Sequence, residues 1–297
     1  MVDTNAPDNQ MEGCSLAGKM AQLEKASVHI GSQHPAFLDL RRLSQNRQPA
    51  DDQRLLIDGL WIIPRLQQLP LEISALYICP ELLVYEPTID WLLQAVRRSA
   101  NCYILSRRLF ERVSSRDDPD GLLMILPLPV WQLDHLALGP DAIITVLDGL
   151  ETPGNVGTIL RTCDGAGVDA VFLAEARARL THPGTVKSSM GTLLSVPIFQ
   201  FTDPVLCRDW LRAHGFTLYL ADADAAETYQ SVRYAGRSAL IMGSERFGIN
   251  PCWYEGGHVP LAIPMNGISD SLNVGVAASI FIYEATMQRC GRKVKPD

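Results

Sequence analysis

Short apolar runs alternate with stretches of helical spacing along most of the chain. In the first half, Phe37–Ser44 has the periodicity of a helix, and Arg54–Asp58, Ala75–Cys79, Cys102–Leu105 and Leu122–Leu126 read as strands. Thr88–Ser99 and Arg107–Ser114 return to helical spacing. This alternation predicts a smaller α/β domain over residues 17–126, after a polar, disordered tail over residues 1–16. Residues 127–141 carry three prolines and a glycine between two strand runs, which predicts a linker. The second half, residues 142–297, opens on Ala142–Asp148, a continuous apolar run suited to a buried parallel strand. Strands follow at Ala170–Ala174, Pro197–Phe201, Thr217–Ala221, Ser238–Met242 and Val259–Ile263, with helices at Asn155–Gly165, Pro204–His214 and Ser271–Cys290. The last helix is apolar around most of its circumference, which predicts a buried helix; a subunit interface is one place that would bury it.

Composition narrows the class. At 297 residues, with 47% apolar and 20% charged, the chain suits two folded domains of roughly 150 residues each. Its longest apolar runs fall short of the ~18–20 residues that span a bilayer, so no membrane partner is expected. The opening residues lack the basic and apolar regions of a secretory leader. Seven scattered cysteines with no C-x-x-C pair fit reduced thiols in a cytoplasmic protein, and six histidines without a Cys/His cluster predict no metal. The net charge of −7 argues against indiscriminate coating of nucleic acid, whose affinity comes from neutralised phosphates.

Three polar loops follow three predicted strands of the second half, where a parallel sheet collects ligands. The first, Asp148-Gly-Leu-Glu-Thr-Pro-Gly-Asn155, leads into a helix; Asn155 there is either an ordinary N-cap or a site residue. Arg161, six residues on, stands in an apolar helix where a snorkelling side chain is the plain alternative. In the second loop, Glu245 sits between Gly243 and Gly248, whose lack of a side chain lets backbone approach a ligand. The third carries Asn266, Ser269, Asp270 and Ser271 between Ile263 and the final helix. Gly165-Ala-Gly-Val-Asp-Ala170 looks like a dinucleotide fingerprint, but it follows a helix and precedes a strand. That context predicts a helix end with a left-handed glycine.

These loops, in this order and spacing, closely resemble the three motifs of the SpoU (TrmH) family of the SPOUT class of RNA methyltransferases. Asn155, Gly157 and Arg161 match the first motif, and Gly243, Glu245 and Gly248 the second. Ile263-Pro-Met265 and Ser271-Leu-Asn-Val274 match the third. Lys187-Ser-Ser-Met-Gly191 is similar to an intermediate segment of the family. The departures are Glu151-Thr152, where Asp or Asn is common, and Gly275, where Ser is common. The resemblance covers about residues 143–284. It implies a C-terminal parallel-sheet α/β domain with a deep trefoil knot, a homodimer formed through that domain with the site at its interface, and S-adenosyl-L-methionine as methyl donor. The implied reaction is methyl transfer to a ribose 2′-hydroxyl of structured RNA.

On that resemblance Gly243, Ile263, Met265 and Leu272 would cradle the donor. Asn155, Arg161, Glu245, Ser271 and Asn273 would form the catalytic group, with Asn155 and Asn273 orienting polar groups. Arginine is effectively never deprotonated in proteins, so Arg161 fits phosphate holding and alkoxide stabilisation better than general-base work. Glu245 and Ser271 would orient Arg161 or relay the proton. More weakly, Phe37-Leu-Asp-Leu-Arg-Arg-Leu43 and Arg54-Leu-Leu-Ile-Asp-Gly59 resemble the start of the L30e-like RNA-binding extension found in rRNA-modifying members.

The extra domain favours ribosomal RNA; a tRNA methyltransferase, transfer to a base nitrogen, and a non-catalytic RNA-binding protein on the same scaffold are the alternatives. The acidic total conceals clustered arginines. Arg97, Arg98, Arg107, Arg108, Arg112 and Arg116 lie within twenty residues that hold one acid, Glu111, and Arg41, Arg42, Arg47 and Arg54 form a looser group. Arg41, Arg42, Arg97, Arg98, Arg107, Arg108 and Arg112 are therefore the expected RNA contacts. A further basic run, Arg289 to Lys295, closes the chain.

Overall fold

The computed structural model describes residues 15–69 and 71–289, which divide into two compact units between Pro127 and Leu128. The first contains α1 (Leu16–Lys25), β1 (Val28–His29), α2 (Pro35–Ser44), β2 (Arg54–Asp58), α3 (Ile63–Leu66), β3 (Ala75–Ile78), α4 (Glu86–Val96), β4 (Cys102–Ile104), α5 (Arg107–Glu111) and β5 (Leu122–Pro127). Its five strands lie in the order β1-β4-β3-β5-β2. The pairs β1–β4 and β4–β3 are parallel, whereas β3–β5 and β5–β2 are antiparallel. α2 buries Phe37, Leu40 and Leu43, spaced three apart on one face, and leaves Arg41 and Arg42 exposed. These residues pack with Tyr77, Phe110, Leu123 and Ile125 in one core. The expected tail through residue 16 is shortened: Leu16 begins α1, and the Ser15 hydroxyl caps it by accepting from Gly18 N. Residues 1–14 lie outside the described residues.

The second unit contains β6 (Ile143–Asp148), α6 (Pro153–Ala166), β7 (Ala170–Ala174), α7 (Pro183–Ser189), β8 (Ile198–Phe201), α8 (Pro204–Ala213), β9 (Thr217–Ala221), β10 (Ser238–Met242), β11 (Val259–Leu261) and α9 (Val274–Arg289). Its six-stranded sheet has the order β11-β9-β10-β6-β7-β8 and is parallel at every pair. Every residue of β6, β7 and β10 is buried, as strands covered on both faces require. Residues 128–141 group with this unit, and Leu133, Leu136 and Leu138 pack against its core.

The strands at 170–174, 217–221 and 238–242 have the bounds expected from the sequence. Other elements differ by one to three residues at their ends, two of them beside the site. β11 stops at Leu261, and the final helix starts at Val274, not Ser271. Asn273 sets that start: its side chain accepts from Gly275 N at 2.9 Å and its carbonyl from Val276 and Ala277. The expected end at Cys290 falls outside the described residues, as does most of the closing basic run. Gly167, at φ 70°, closes α6 in the left-handed conformation, as the Gly165–Ala170 pattern predicted. α7 is an additional helix, and Gly157 lets α6 pack tightly on it. Among the described residues no helix is long and apolar enough to cross a membrane, and no His/Cys/Asp/Glu group could hold a metal.

A Cβ on Gly157 would stand 2.0 Å from the Ser188 hydroxyl and 2.5 Å from the Thr185 carbonyl. The hydroxyl can rotate away; the backbone carbonyl cannot. Gly157→Ala is expected to destabilise the second unit by about 1–3 kcal/mol, as overpacking does, in denaturant unfolding of the variant against the unmodified chain.

Candidate active site

Because the second sheet is fully parallel, the loops that leave β6, β9, β10 and β11 lie along one edge of it. Three of them are tied together by side chains. Asn155 donates through Nδ2 to Glu245 Oε1 at 2.6 Å, and its Oδ1 accepts from Asn273 Nδ2 at 3.2 Å. Asn155 is thus the residue on which the three predicted motifs converge. It is not the N-cap: Thr152 holds that position, and Pro153 occupies the first turn with its fixed φ. Asn155 is the third residue of the helix, within its first turn, and faces the neighbouring loops.

Glu245 Oε2 also accepts from Glu151 N at 3.5 Å. Burial pushes the Glu245 carboxyl upward, but the hydrogen bonds from Asn155, Thr152 and backbone amides outweigh it and leave its pKa below the ordinary glutamate value. At neutral pH it is a carboxylate. At the end of β6, the buried Asp148 accepts from Asn250 N at 2.7 Å and joins the strand end to the chain beyond the second loop. Desolvation raises its pKa.

Beside this cluster lies a cleft of about 430 Å³. Gly243, Ile263, Met265 and Leu272, the expected donor-binding residues, all line it, as do Glu245 and Ser271. Gly243 is required by packing as well: a Cβ there would stand 2.4 Å from the carbonyl carbon of Gly248. Asp222, Asp224, Tyr254 and Phe281 also line the cleft and were missed in the sequence. The Tyr254 hydroxyl donates to Asp222 Oδ2 at 2.8 Å, and burial followed by that carboxylate pushes the phenol's pKa up. The predicted strand Thr217–Ala221 was the available signal. The rule that singled out the other strand-end loops applies equally to Asp222-Ala-Asp224.

Arg161 is not brought to the cleft. At ~100° per residue it lies about 120° around α6 from Asn155, exposed, with no side-chain hydrogen bond or ion pair among the described residues. Within one chain neither Glu245 nor Ser271 orients it, contrary to the expectation. Glu245 is engaged by Asn155, and the Ser271 hydroxyl donates to Asp270 Oδ1 at 3.3 Å.

In the first unit Arg41, Arg42, Arg97, Arg98, Arg107, Arg108 and Arg112 are all exposed. Arg41, Arg42 and Arg47 line one depression with Leu38 and Gln45. The Arg112 guanidinium stands 5.9 Å from the Phe37 ring centroid, which brings α5 and α2 together, and Arg107 pairs with Glu111 at 2.8 Å. Arg54 is held by Asp39 and Asp52.

Asn155→Ala is expected to move the Glu245 pKa up toward the ordinary value of about 4.3. A carboxyl with a depressed folded pKa contributes stability above its unfolded pKa and loses it as pH falls through the folded one. The variant should therefore lose less stability than the unmodified chain on acidification. An NMR titration of the Glu245 side-chain carbon checks the shift.

The SpoU rRNA methylase family matches residues 142–283. The 23S rRNA (guanosine(2553)-2′-O)-methyltransferase RlmP of Bacillus subtilis is 28% identical over 245 residues, 82% of this chain and 93% of that protein. A crystal structure of an RNA 2′-O ribose methyltransferase superposes with a TM-score of 0.74 at 29% identity, covering 89% of this chain and 99% of the other. The AdoMet-bound rRNA methyltransferase from Sinorhizobium meliloti shares the fold, with a TM-score of 0.77 at 24% identity over 88% of this chain and 97% of that one. With its three motif loops joined through Asn155 at one cleft, the stretch over residues 142–283 is a domain of the SpoU methylase family.

Proposed function

We propose that the chain transfers the methyl group of S-adenosyl-L-methionine to a ribose 2′-hydroxyl of ribosomal RNA. The observation that carries this is the Asn155 bridge to Glu245 and Asn273 beside a cleft lined by Gly243, Ile263, Met265 and Leu272. The cleft's residue types fit the donor. Its volume is in the range of small-molecule sites, its apolar lining suits adenine and thioether groups, and the Asp222 and Asp224 carboxylates suit hydroxyl and ammonium donors. Bound there, S-adenosyl-L-methionine would supply an already activated methyl. No metal is invoked.

The chain's own residues then have to align the attacking hydroxyl and ease the loss of its proton. The Glu245 carboxylate, fixed by Asn155, is placed to hold a donor group; Asn273 fixes Asn155 in turn. Ser271 adds a hydroxyl at the cleft wall. Arg161 would hold phosphate and stabilise developing negative charge. Its position away from its own cleft suits a homodimer in which it completes the partner's site. Val276, Tyr283 and Met287, exposed along α9, would form part of that interface.

The finer architecture follows the same reading. β11 lies at the sheet edge, whereas α9 packs on α6 through the Thr162–Ser279 hydroxyl pair at 3.0 Å. The connection between them crosses the strand ends beside the 243–248 loop, which supports a trefoil knot. The first unit would be an L30e-like RNA-binding domain whose exposed arginines contact phosphate. Its presence favours rRNA over tRNA, and the reaction would take place in the cytoplasm.

With labelled donor, the chain is expected to methylate rRNA transcripts and not tRNA transcripts. Complete alkaline hydrolysis should leave the labelled linkage uncut, because a 2′-O-methyl blocks cleavage; label in a single nucleotide would indicate base methylation. Arg161→Ala should lower kcat by on the order of a hundredfold, the size of a lost charge-stabilising donor, with donor affinity by calorimetry unchanged. Equal turnover by the variant would exclude the role.

A further inference from the structure

Phe247 is 63% exposed, yet the turn that presents it is fixed. Ser244 and Gly248 exchange backbone hydrogen bonds of 2.9 and 3.0 Å, and the buried Ser244 hydroxyl accepts from Phe247 N at 2.9 Å. A tight turn of this kind leaves an apolar ring in water with no packing gain in the folded chain. Two guanidiniums attend the ring, Arg246 at 5.0 Å and Arg177 at 5.3 Å from its centroid. They are held differently. Arg177 is anchored by the carboxylates of Glu151 and Glu175. Arg246 has no acid partner among the described residues.

The location adds the second argument. Phe247 lines the same cleft as Met265 and Leu272, and Glu245, two residues earlier, is the group bonded to Asn155. The ring therefore stands beside the place where a ribose would have to meet the donor. We infer that Phe247 and Arg246 form the platform that receives the substrate RNA there, a base stacking on the ring while Arg246 takes an adjoining phosphate. The inference rests on the RNA methyl-transfer reading and names the contacts that the site makes to its RNA.

The chemistry suits the residues. Every base has a π-face, so an exposed aromatic ring accepts it without demanding a sequence. An exposed cation–π contact is weak and readily exchanged, so Arg246 can leave the ring for a phosphate at little cost. Arg177, neutralised by Glu151 and Glu175, stays in place beside the ring and leaves Arg246 as the cation offered to phosphate. Neither role needs a pocket in the free protein, which explains why both side chains stand in solvent.

The test uses the full chain, a 23S rRNA transcript, a labelled single-stranded oligoribonucleotide and S-adenosyl-L-methionine. Phe247→Ala and Arg246→Ala are each expected to raise the KM for the transcript and weaken oligonucleotide binding on the order of tenfold, the strength of base stacking on a ring, with donor Kd within about twofold of the unmodified chain. Phe247→Trp should restore RNA binding, because the indole stacks equally well. The slope of log K against log salt should fall by about one in Arg246→Ala and stay unchanged in Phe247→Ala. Unchanged RNA affinity in both alanine variants would overturn the inference. A donor affinity that fell in step with RNA affinity would also overturn it, since the ring would then belong to the donor's own cleft. If the unmodified chain binds the transcript without methylating it, the transfer reading fails and the binding comparison still decides the platform. If it binds no RNA, both fail.

Discussion

The site depends on the single direction of the second sheet. With every strand parallel, each strand must be followed by a crossover, and the loops that begin those crossovers all lie along one edge. Sequence segments nearly a hundred residues apart are then held within reach of one side chain. Asn155 bonds Glu245 across 90 positions and Asn273 across 118. An antiparallel arrangement would send alternate loops to opposite edges, and no single amide could span them. Burial of β6, β7 and β10 on both faces is the energetic basis of this arrangement, because it holds the strand ends still while the loops vary.

The loops achieve precision with backbone as much as with side chains. Gly243 is needed because the chain folds back so closely that the Gly248–Ile249 peptide occupies the space of a Cβ. Gly157 plays a similar part for α6, whose contact with α7 sets the height at which Asn155 enters the site. Motif glycines are therefore packing requirements here before they are binding features. The polar members behave in the same manner. Asn273 caps α9 with one atom and holds Asn155 with another, so the start of the last helix and the geometry of the site have a common cause. A substitution there would be felt in both.

Charge is distributed by structure and not by the total. A net charge of −7 coexists with exposed arginines on α2, on α5 and just beyond α4 in the first unit and with Arg161 and Arg246 on the second. Several arginines are neutralised locally: Arg54 by Asp39 and Asp52, Arg107 by Glu111, and Arg208 by Asp209 and Glu255. Counting charges along the sequence could not separate these from the unpaired ones. Arg54, placed with the basic group by its spacing, is structural, whereas Arg246, isolated in sequence, remains available.

Local patterns decided most of the secondary structure. Apolar runs bounded by glycine, proline and polar residues mark strands whatever their neighbours, which is why β7, β9 and β10 ended where the sequence placed them. The motif loops were legible for a related reason, since their position after strands is itself a local property. Legibility ended where a long-range contact chose between local options. Asn155 had two local options, helix cap or site residue, until the fold offered it Glu245 and Asn273, and Ser271 looked like a helix start until Asn273 took the capping role. Asp222, Asp224 and Tyr254 joined the cleft only because β9 lies between β10 and β11, an order that the sequence does not state. The side-chain placement of Arg161 shows the same division. Its residue type and spacing were evident, but the phase of α6 relative to the cleft is set by packing on α7 and α9, and that packing turns it outward.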